Sequence, residues 1–461
     1  MHWRRSAALG LAFGALAWGG LALAAPGPET KTAPPSILFR DVALVPMDAE
    51  RVVLRQSVLV SGGRIVAIGK DLAAPTGAKI VQGRGRFLAP GLADMHVHAA
   101  NGRDMQVLLA HGVTTVLDMG GASSAFVGQV VPAVHAGRRP GPHVYLALRV
   151  DGTPRYGHWA VATPEDARAV VRLAKTNHYD AIKVYNDLQP EVFAALVEAA
   201  READLAVVGH GVTRVGLERQ LAAGQLMVAH LEEYLYTVFF PADADPGLQA
   251  PPDSAIPAAV AMTKRAGAVV TVDLATYGAI AAQWGRPEVA AAYLKRPDVV
   301  WLDPIQRIAW RNGGYDRRQG SLDARLAFLG RFAKALADAD VPLVAGTDAP
   351  TIPGLFLGAS LRDTLYALRG AGFTNFQALS TATRGPGEMM GRVRPRDPCF
   401  GIIAVGCRAD LLLLRRNPLE DLRALETVDG VVAGGAWRDA AELQGLLDGV
   451  ARSYADAGAS P

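Results

Sequence analysis

From about residue 87 to about residue 391 the chain alternates short apolar runs with longer stretches of helical period, and it does so eight times. The runs fall at residues 92–97, 114–119, 143–148, 181–185, 206–208, 226–229, 269–274 and 343–346. Amphipathic helical patterns lie between most of them. One starts at Thr163-Pro164-Glu165-Asp166, where Thr suits an N-cap and Pro the first helical position. Others cover residues 190–203, 215–223 and 322–339. Eight β-then-α units in succession predict an α/β fold, a parallel (β/α)8 barrel. The rival is a doubly wound open sheet, but the Gly-rich phosphate turn of that fold has no counterpart here.

Short β segments bracket this region. Residues 37–45, 57–61 and 64–68 precede it, the last two separated by Gly62-Gly63, a strong hairpin signal. Residues 401–405, 410–414 and 431–437 follow it. Neither set is large enough to stand alone, so both chain ends are expected to meet in one small β-sandwich. The predicted order is a signal peptide (1–24), a Pro-rich linker (25–35), the N-terminal sandwich strands (36–86), the barrel (87–391), the C-terminal sandwich strands (392–440) and a C-terminal helix or tail (441–461).

Half of the 461 residues are apolar, enough for a sizeable core. Charge is nearly balanced, 47 basic against 44 acidic residues, and no basic stripe stands out, which argues against a nucleic-acid partner. Arg4 and Arg5, the apolar run 7–25 and the small-x-small triplet Ala22-Leu23-Ala24 read as an export signal cut between Ala24 and Ala25. The mature protein is then periplasmic or secreted, with no stable membrane insertion; an uncleaved anchor is the alternative. Cys399 and Cys407 are the only cysteines, and their spacing is not that of a metal-binding pair. In an oxidising compartment they suit one disulfide across a short hairpin; two free thiols are the alternative.

The chemistry is concentrated at strand ends. Asp94-Met95-His96-Val97-His98 closes the first barrel strand, and alternation points His96 and His98 the same way. Two imidazoles so spaced can bind one metal from the same side. In Ala181-Ile182-Lys183-Val184-Tyr185 the lysine falls inside the barrel, where a lone ammonium is costly. It is either a structural ion pair or an amine carboxylated by carbon dioxide, an anion able to bridge two metals. His210 and His230 end the fifth and sixth strands, at the face where barrel active sites form. Singly each would be a structural histidine; together, beside the lysine, they read as ligands. Asp348 follows the last strand, where it can touch metal and water, or else cap a turn.

The ordered set His96-x-His98, Lys183, His210, His230 and Asp348 resembles the binuclear metal-dependent amidohydrolase superfamily. Flanking phrases agree: residues 87–94 (FLAPGLAD), Gly112-Val113-Thr114-Thr115 and the G-x-x-A-D-L stretch at residues 406–411. The lysine-bearing, exported pattern is most similar to the imidazolonepropionase-related, Xaa-Pro dipeptidase-like branch. Ser360-Leu361-Arg362-Asp363-Thr364 departs from that branch, where a His and a Glu often stand. The resemblance implies that His96, His98 and Asp348 hold the more buried divalent metal and His210 and His230 the other. Carboxylated Lys183 and a hydroxide would bridge them, and Asp348 would shuttle the proton. Zinc suits these ligands; manganese, iron and cobalt are also accepted.

The expected function is hydrolysis of an amide bond in a small molecule, a dipeptide or N-acyl amino acid by resemblance. The alternatives are lactone, ester or phosphoester hydrolysis at the same centre, and a catalytically inactive periplasmic binding protein. Tyr185, Tyr234, Tyr277 and His158 are candidate substrate contacts, while Glu232-Glu233 reads by default as a solvated acidic pair. The sequence leaves a homo-oligomer open.

Overall fold

The computed structural model describes residues 35–155, 158–240 and 247–459. The expected signal peptide and nearly all of the linker lie outside the described residues.

Five strands come first: β1 (Ile37–Leu44), β2 (Val53–Ser61), β3 (Arg64–Gly69), β4 (Lys79–Gln82) and β5 (Phe87–Pro90). The barrel follows with β6 (Leu92–Val97), β7 (Val113–Asp118), β8 (His143–Asp151), a short side strand β9 (Trp159–Ala160), β10 (Ala181–Val184), β11 (Ala206–Gly209), β12 (Met227–Val228), β13 (Val269–Thr271) and β14 (Leu343–Val344). Last come β15 (Leu411–Leu414), β16 (Val428–Ala433) and β17 (Ala436–Asp439).

The eight expected barrel strands form one parallel sheet in chain order from β6 to β14, with β9 appended to β8. The circle closes where the last strand returns to the first: Ala345 O accepts from Met95 N at 2.9 Å, and His96 O accepts from Asp348 N at 2.8 Å. Helices cover the outside. The one expected at Thr163 runs Pro164–Thr176, capped by Thr163 and Asp166 reciprocally, so two orphan backbone donors are satisfied at once. Inside, Met95, Leu117, Tyr145, Ala147, Val208 and Met227 are packed against Met389, Met390 and Phe400, which plug the end where the strands begin. Barrel active sites form at the opposite end, where the strands finish.

The chain ends meet as expected, in a single eight-stranded sheet ordered β17-β16-β15-β5-β1-β2-β3, with β4 on β1. The Gly62-Gly63 turn has positive φ at both residues (56° and 74°), as a tight hairpin between β2 and β3 requires. Strands from both ends share one core, including Phe39, Val58, Leu88, Leu411 and Val432.

Four expectations change. Phe87–Pro90, expected to open the barrel, belongs to the small sheet, pairing with β15 and β1. Residues 401–405 are not a strand: their backbone is tied irregularly, with Ile403 N donating to Pro46 O at 2.9 Å. Residues 431–437 span two strands and the turn between them. Cys399 and Cys407 are joined in a disulfide that closes a loop rather than a hairpin. The C-terminal helix, Ala440–Ala459, packs on the barrel helix Gly102–Ala110. No described helix is long and apolar enough to cross a membrane.

Candidate metal centre

His96, His98, Lys183, His210, His230 and Asp348 converge at the mouth formed by the strand ends. His96 Nε2 and His98 Nε2 lie 3.2 and 2.9 Å from the same oxygen, Asp348 Oδ1. Lys183 Nζ is 3.0 Å from His96 Nε2. The rings of His96 and His230 are 4.3 Å apart, and those of His230 and His210 4.8 Å. One face of the barrel therefore gathers four imidazoles, one amine and one carboxylate. His96, His98 and Asp348 alone bring three ligand atoms within 4.8 Å of one another.

The local chain explains how. The pairing of β6 with β7 slips between Asp94 and Val97, a bulge-like irregularity at the histidine pair itself. Asp94, buried, ties this stretch to the last strand: its Oδ2 accepts from Thr347 Oγ1 at 2.8 Å and its Oδ1 from His96 N at 3.2 Å. Gly209 turns β11 toward His210 with φ 128°, and a Cβ there would meet Val184 O at 2.3 Å, so only glycine fits. Asp348 sits at φ 57°, a left-handed conformation that Asp tolerates better than most residues.

Each histidine is oriented by a hydrogen bond from Nδ1, the ring atom facing away from the centre. His96 Nδ1 meets Ala229 O at 3.1 Å and His98 Nδ1 meets Gly120 O at 2.7 Å. His210 Nδ1 meets Glu233 Oε1 at 2.6 Å, and His230 Nδ1 meets Asp273 Oδ2 at 2.5 Å. An oxygen acceptor at Nδ1 places the hydrogen there and leaves Nε2 as a lone pair. His210 Nε2 is buried and has no hydrogen-bond partner among the described residues. Four outward Nδ1–H donors and four inward Nε2 atoms, one of them the buried orphan of His210, are the donor set a metal needs, with the outer partners that ligating histidines almost always have.

Electrostatics agree. Burial, helped by the Lys183 charge, holds His96 and His210 well below the ordinary imidazole range, so both are neutral. Burial likewise brings Lys183 down to about 7, against the pull of Asp348 in the other direction, so its amine is readily deprotonated. Burial would push the Asp348 carboxyl up, but its close approach to His96 and His98 outweighs burial and holds it well below the ordinary carboxylate range. His230 differs: burial opposes its charge, yet Asp273, Glu232 and Asp348 together lift it to about 10. A proton and a cation compete for the same lone pair there, so cation binding would release that proton.

The candidate substrate contacts divide. Tyr185 stacks on His210 with ring centroids 3.9 Å apart, and His158 packs on Tyr185 at 4.3 Å. Both therefore border the centre. Tyr234 does not: it is fully buried, bonded to Thr263 Oγ1 at 2.7 Å and edge-on to Phe332. One helical turn beyond His230, its side chain leaves for the core. Tyr277 is also buried, on the helix Leu274–Gln283 and bonded to Arg325. Glu232-Glu233 is no solvated pair. Glu233 is 4% exposed and accepts from His210, Asn186 and Gly211 N. Glu232 Oε2 is buried, and burial raises that carboxyl to about 8.

Asp273 was legible only as the polar residue ending an apolar strand, and Glu233 only as an acid three positions after a strand-end histidine.

Comparison with known proteins adds context. No family model matches the chain. A bottromycin amidohydrolase superposes with a TM-score of 0.71 at 24% identity, over 91% of each chain. A protein described as a prolidase, from Bifidobacterium longum, gives 0.66 at 22% identity over 91% of this chain and 99% of its own. Among curated relatives, a deacetylase of Brucella anthropi is 35% identical over 96 residues, 19% of this chain and 24% of that protein. A dihydroorotase of Geobacter sulfurreducens is 25% identical over 174 residues, 34% and 41% respectively. The chain thus spans between a quarter and two fifths of these two curated relatives, while the solved structures share its whole fold.

Proposed function

We propose that the chain is a member of the amidohydrolase superfamily, a metal-dependent hydrolase that cleaves the C–N bond of an amide in a small molecule, a dipeptide or N-acyl amino acid. The observation that carries this is the outward anchoring of all four histidines through Nδ1, which turns their Nε2 atoms inward onto one shared centre with Lys183 and Asp348. His96, His98 and Asp348 would hold one divalent ion, and His210 and His230 a second. Lys183, carboxylated on its neutral amine, would serve both. Zinc fits this set of imidazole and carboxylate donors.

Bound cations would supply an acidified water and a polarised scissile carbonyl. The rest falls to the chain. Asp348 is ionised, pinned by His96 and His98, and one oxygen remains for the proton of the attacking water. That proton goes to the leaving nitrogen, so water and amide become carboxylic acid and amine. Tyr185 and His158 wall the side toward β10.

Export to the periplasm or beyond belongs to the same reading, supported by the signal-like residues 1–24 and by the Cys399–Cys407 disulfide, which an oxidising compartment favours. The test is elemental analysis of full-length protein produced with bicarbonate and without chelators, followed by an amide panel. About two divalent ions per chain and release of free amine are expected. Folded protein that binds no metal would overturn the reading.

A further inference from the structure

A cavity opens beside the metal centre, and its lining is of a different kind from the centre's own donors. It measures about 200 Å³ and is bounded by His98 on the metal side and by Trp301, Ile305, Pro350, Phe356 and Leu357. A complete small-molecule site is usually ~300–1,000 Å³, so this space suits one part of a ligand rather than the whole.

Its far wall is the segment between β13 and β14. The helix Pro304–Arg311 crosses the mouth there, held to the loop that carries Asp348 by two bonds to one carbonyl: Gln306 Nε2 and Trp310 Nε1 donate to Pro350 O at 2.8 and 2.7 Å. Phe356 and Trp310 pack edge-on behind it, within a small core of their own. The pocket is therefore built on the same rigid piece as Asp348, and a group lodged in it is placed at a set distance from the reacting bond.

The chemistry of the walls selects the group. Ile305 lines the pocket yet is 78% exposed, an apolar surface in water that a ligand would cover. Three carboxylates also line it, and each has a structural task. Asp104 closes the capping box of the helix Gly102–Ala110, Asp298 pairs with Arg296, and Asp303 caps the helix Pro304–Arg311. Their partners keep them in place, but their negative potential penalises an anionic group. His111, the one further ionisable side chain in the lining, is held neutral by burial, its Nδ1 bonded to Val107 O, and offers no compensating charge.

We infer that this pocket takes a single large apolar side chain of the substrate, aromatic or branched aliphatic, and excludes acidic ones. The inference rests on the amide-hydrolysis reading and narrows it to N-acyl amino acids or dipeptides bearing such a residue. One methylene in an apolar pocket changes kcat/KM by about 10–200-fold. Full-length, zinc-loaded protein is therefore assayed on N-acetyl-phenylalanine, -leucine, -alanine and -aspartate, and binding of N-acetyl-phenylalanine is measured by calorimetry. Two variants test the pocket, Ile305→Asp at its exposed edge and Ala100→Trp, which fills it from the solvent side. Their melting temperatures are compared with that of the parent.

The phenylalanyl and leucyl compounds should exceed the alanyl one at least about tenfold in kcat/KM, with the aspartyl compound lowest. Both variants should erode the phenylalanyl-to-alanyl ratio. A flat panel, or a ratio unchanged in both folded variants, overturns the inference. If no amide is cleaved but N-acetyl-phenylalanine binds the parent and neither variant, the pocket stands and the hydrolytic reading falls. If it neither binds nor is cleaved, the pocket is overturned.

Discussion

The two histidine pairs at the barrel mouth are held from behind in different ways. His96 and His98 donate to backbone carbonyls, Ala229 O and Gly120 O, which are neutral dipoles that no side-chain substitution removes. His210 and His230 donate to carboxylates, Glu233 and Asp273, which are charged and replaceable. The negative charge missing behind the first pair stands in front of it, as Asp348 bonded to both Nε2 atoms. On the proposed reading the first pair would share its carboxylate with the chemistry, while the second would keep its carboxylates for orientation and basicity. Two neighbouring cation sites built on one barrel need not have one affinity.

The sharpest way to break this contrast is at Asp348. Asp348→Asn keeps the shape but removes both the charge in front of His96 and His98 and the proton acceptor. The expected loss in kcat is about 10²–10⁴-fold, measured on a cleaved amide with metal content determined in the same sample. Undiminished turnover would remove Asp348 from its proposed role. Lys183→Ala comes next, since Lys183 lies between the pairs. Metal content should fall from about two ions per chain to about one, with the ion on the His96 side retained. Two ions in that variant would show that the sites do not depend on Lys183.

The carboxylates behind the second pair sharpen the comparison further. Glu233→Gln and Asp273→Asn should each weaken metal binding or activity by about 10–100-fold, the usual effect of removing a ligand's outer partner. Competition with a chromophoric chelator resolves the two ions, and the loss should fall on the site of His210 and His230 alone. Equal weakening of both sites would mean that the pairs are not independent. Glu233 also accepts from Asn186 and Gly211 N, so Glu233→Gln is expected to disturb the loop after β10 more than Asp273→Asn does.

The sequence was legible where the physics is local and periodic. Period-two alternation and strand-end position were enough to mark His96, His98, Lys183, His210 and His230, because a barrel brings equivalent strand ends together. What it could not convey was direction once the chain leaves a strand. Tyr234 follows His230 by four residues, but the turn there is helical, and the ring swings to Thr263 and Phe332 in the core. Tyr277 failed in the same way, because a helix begins at Leu274 where strand was expected to continue. Glu233 failed for a different reason: its partner His210 is 23 residues away on a neighbouring strand, so nothing local distinguished it from a solvated acid. Phe87–Pro90 joined the small sheet because its pairing partners, β1 and β15, come from the two far ends of the chain. The apolar pocket was illegible altogether, since its walls come from segments some two hundred residues apart, around Asp104 and Trp301.

The smallest expected effect tests how much Asp348 depends on its own loop. Thr351 Oγ1 lies 2.6 Å from Asp348 O and 2.9 Å from Asp348 Oδ2, an exposed hydroxyl whose one hydrogen is shared between the carbonyl and the carboxylate oxygen turned away from the histidines. Thr351→Val removes that donor without adding bulk. A hydroxyl hydrogen shared with a backbone carbonyl at an exposed position contributes about 0.5–1.5 kcal/mol net, the range of an ordinary hydrogen bond, so kcat/KM should fall about two- to tenfold with metal content unchanged. The bonds from His96 and His98 still hold the carboxylate, which is why the loss stays small. A hundredfold loss would place the main support of Asp348 in its loop rather than in the histidine pair, and the contrast between the two pairs would lose the feature on which it was drawn.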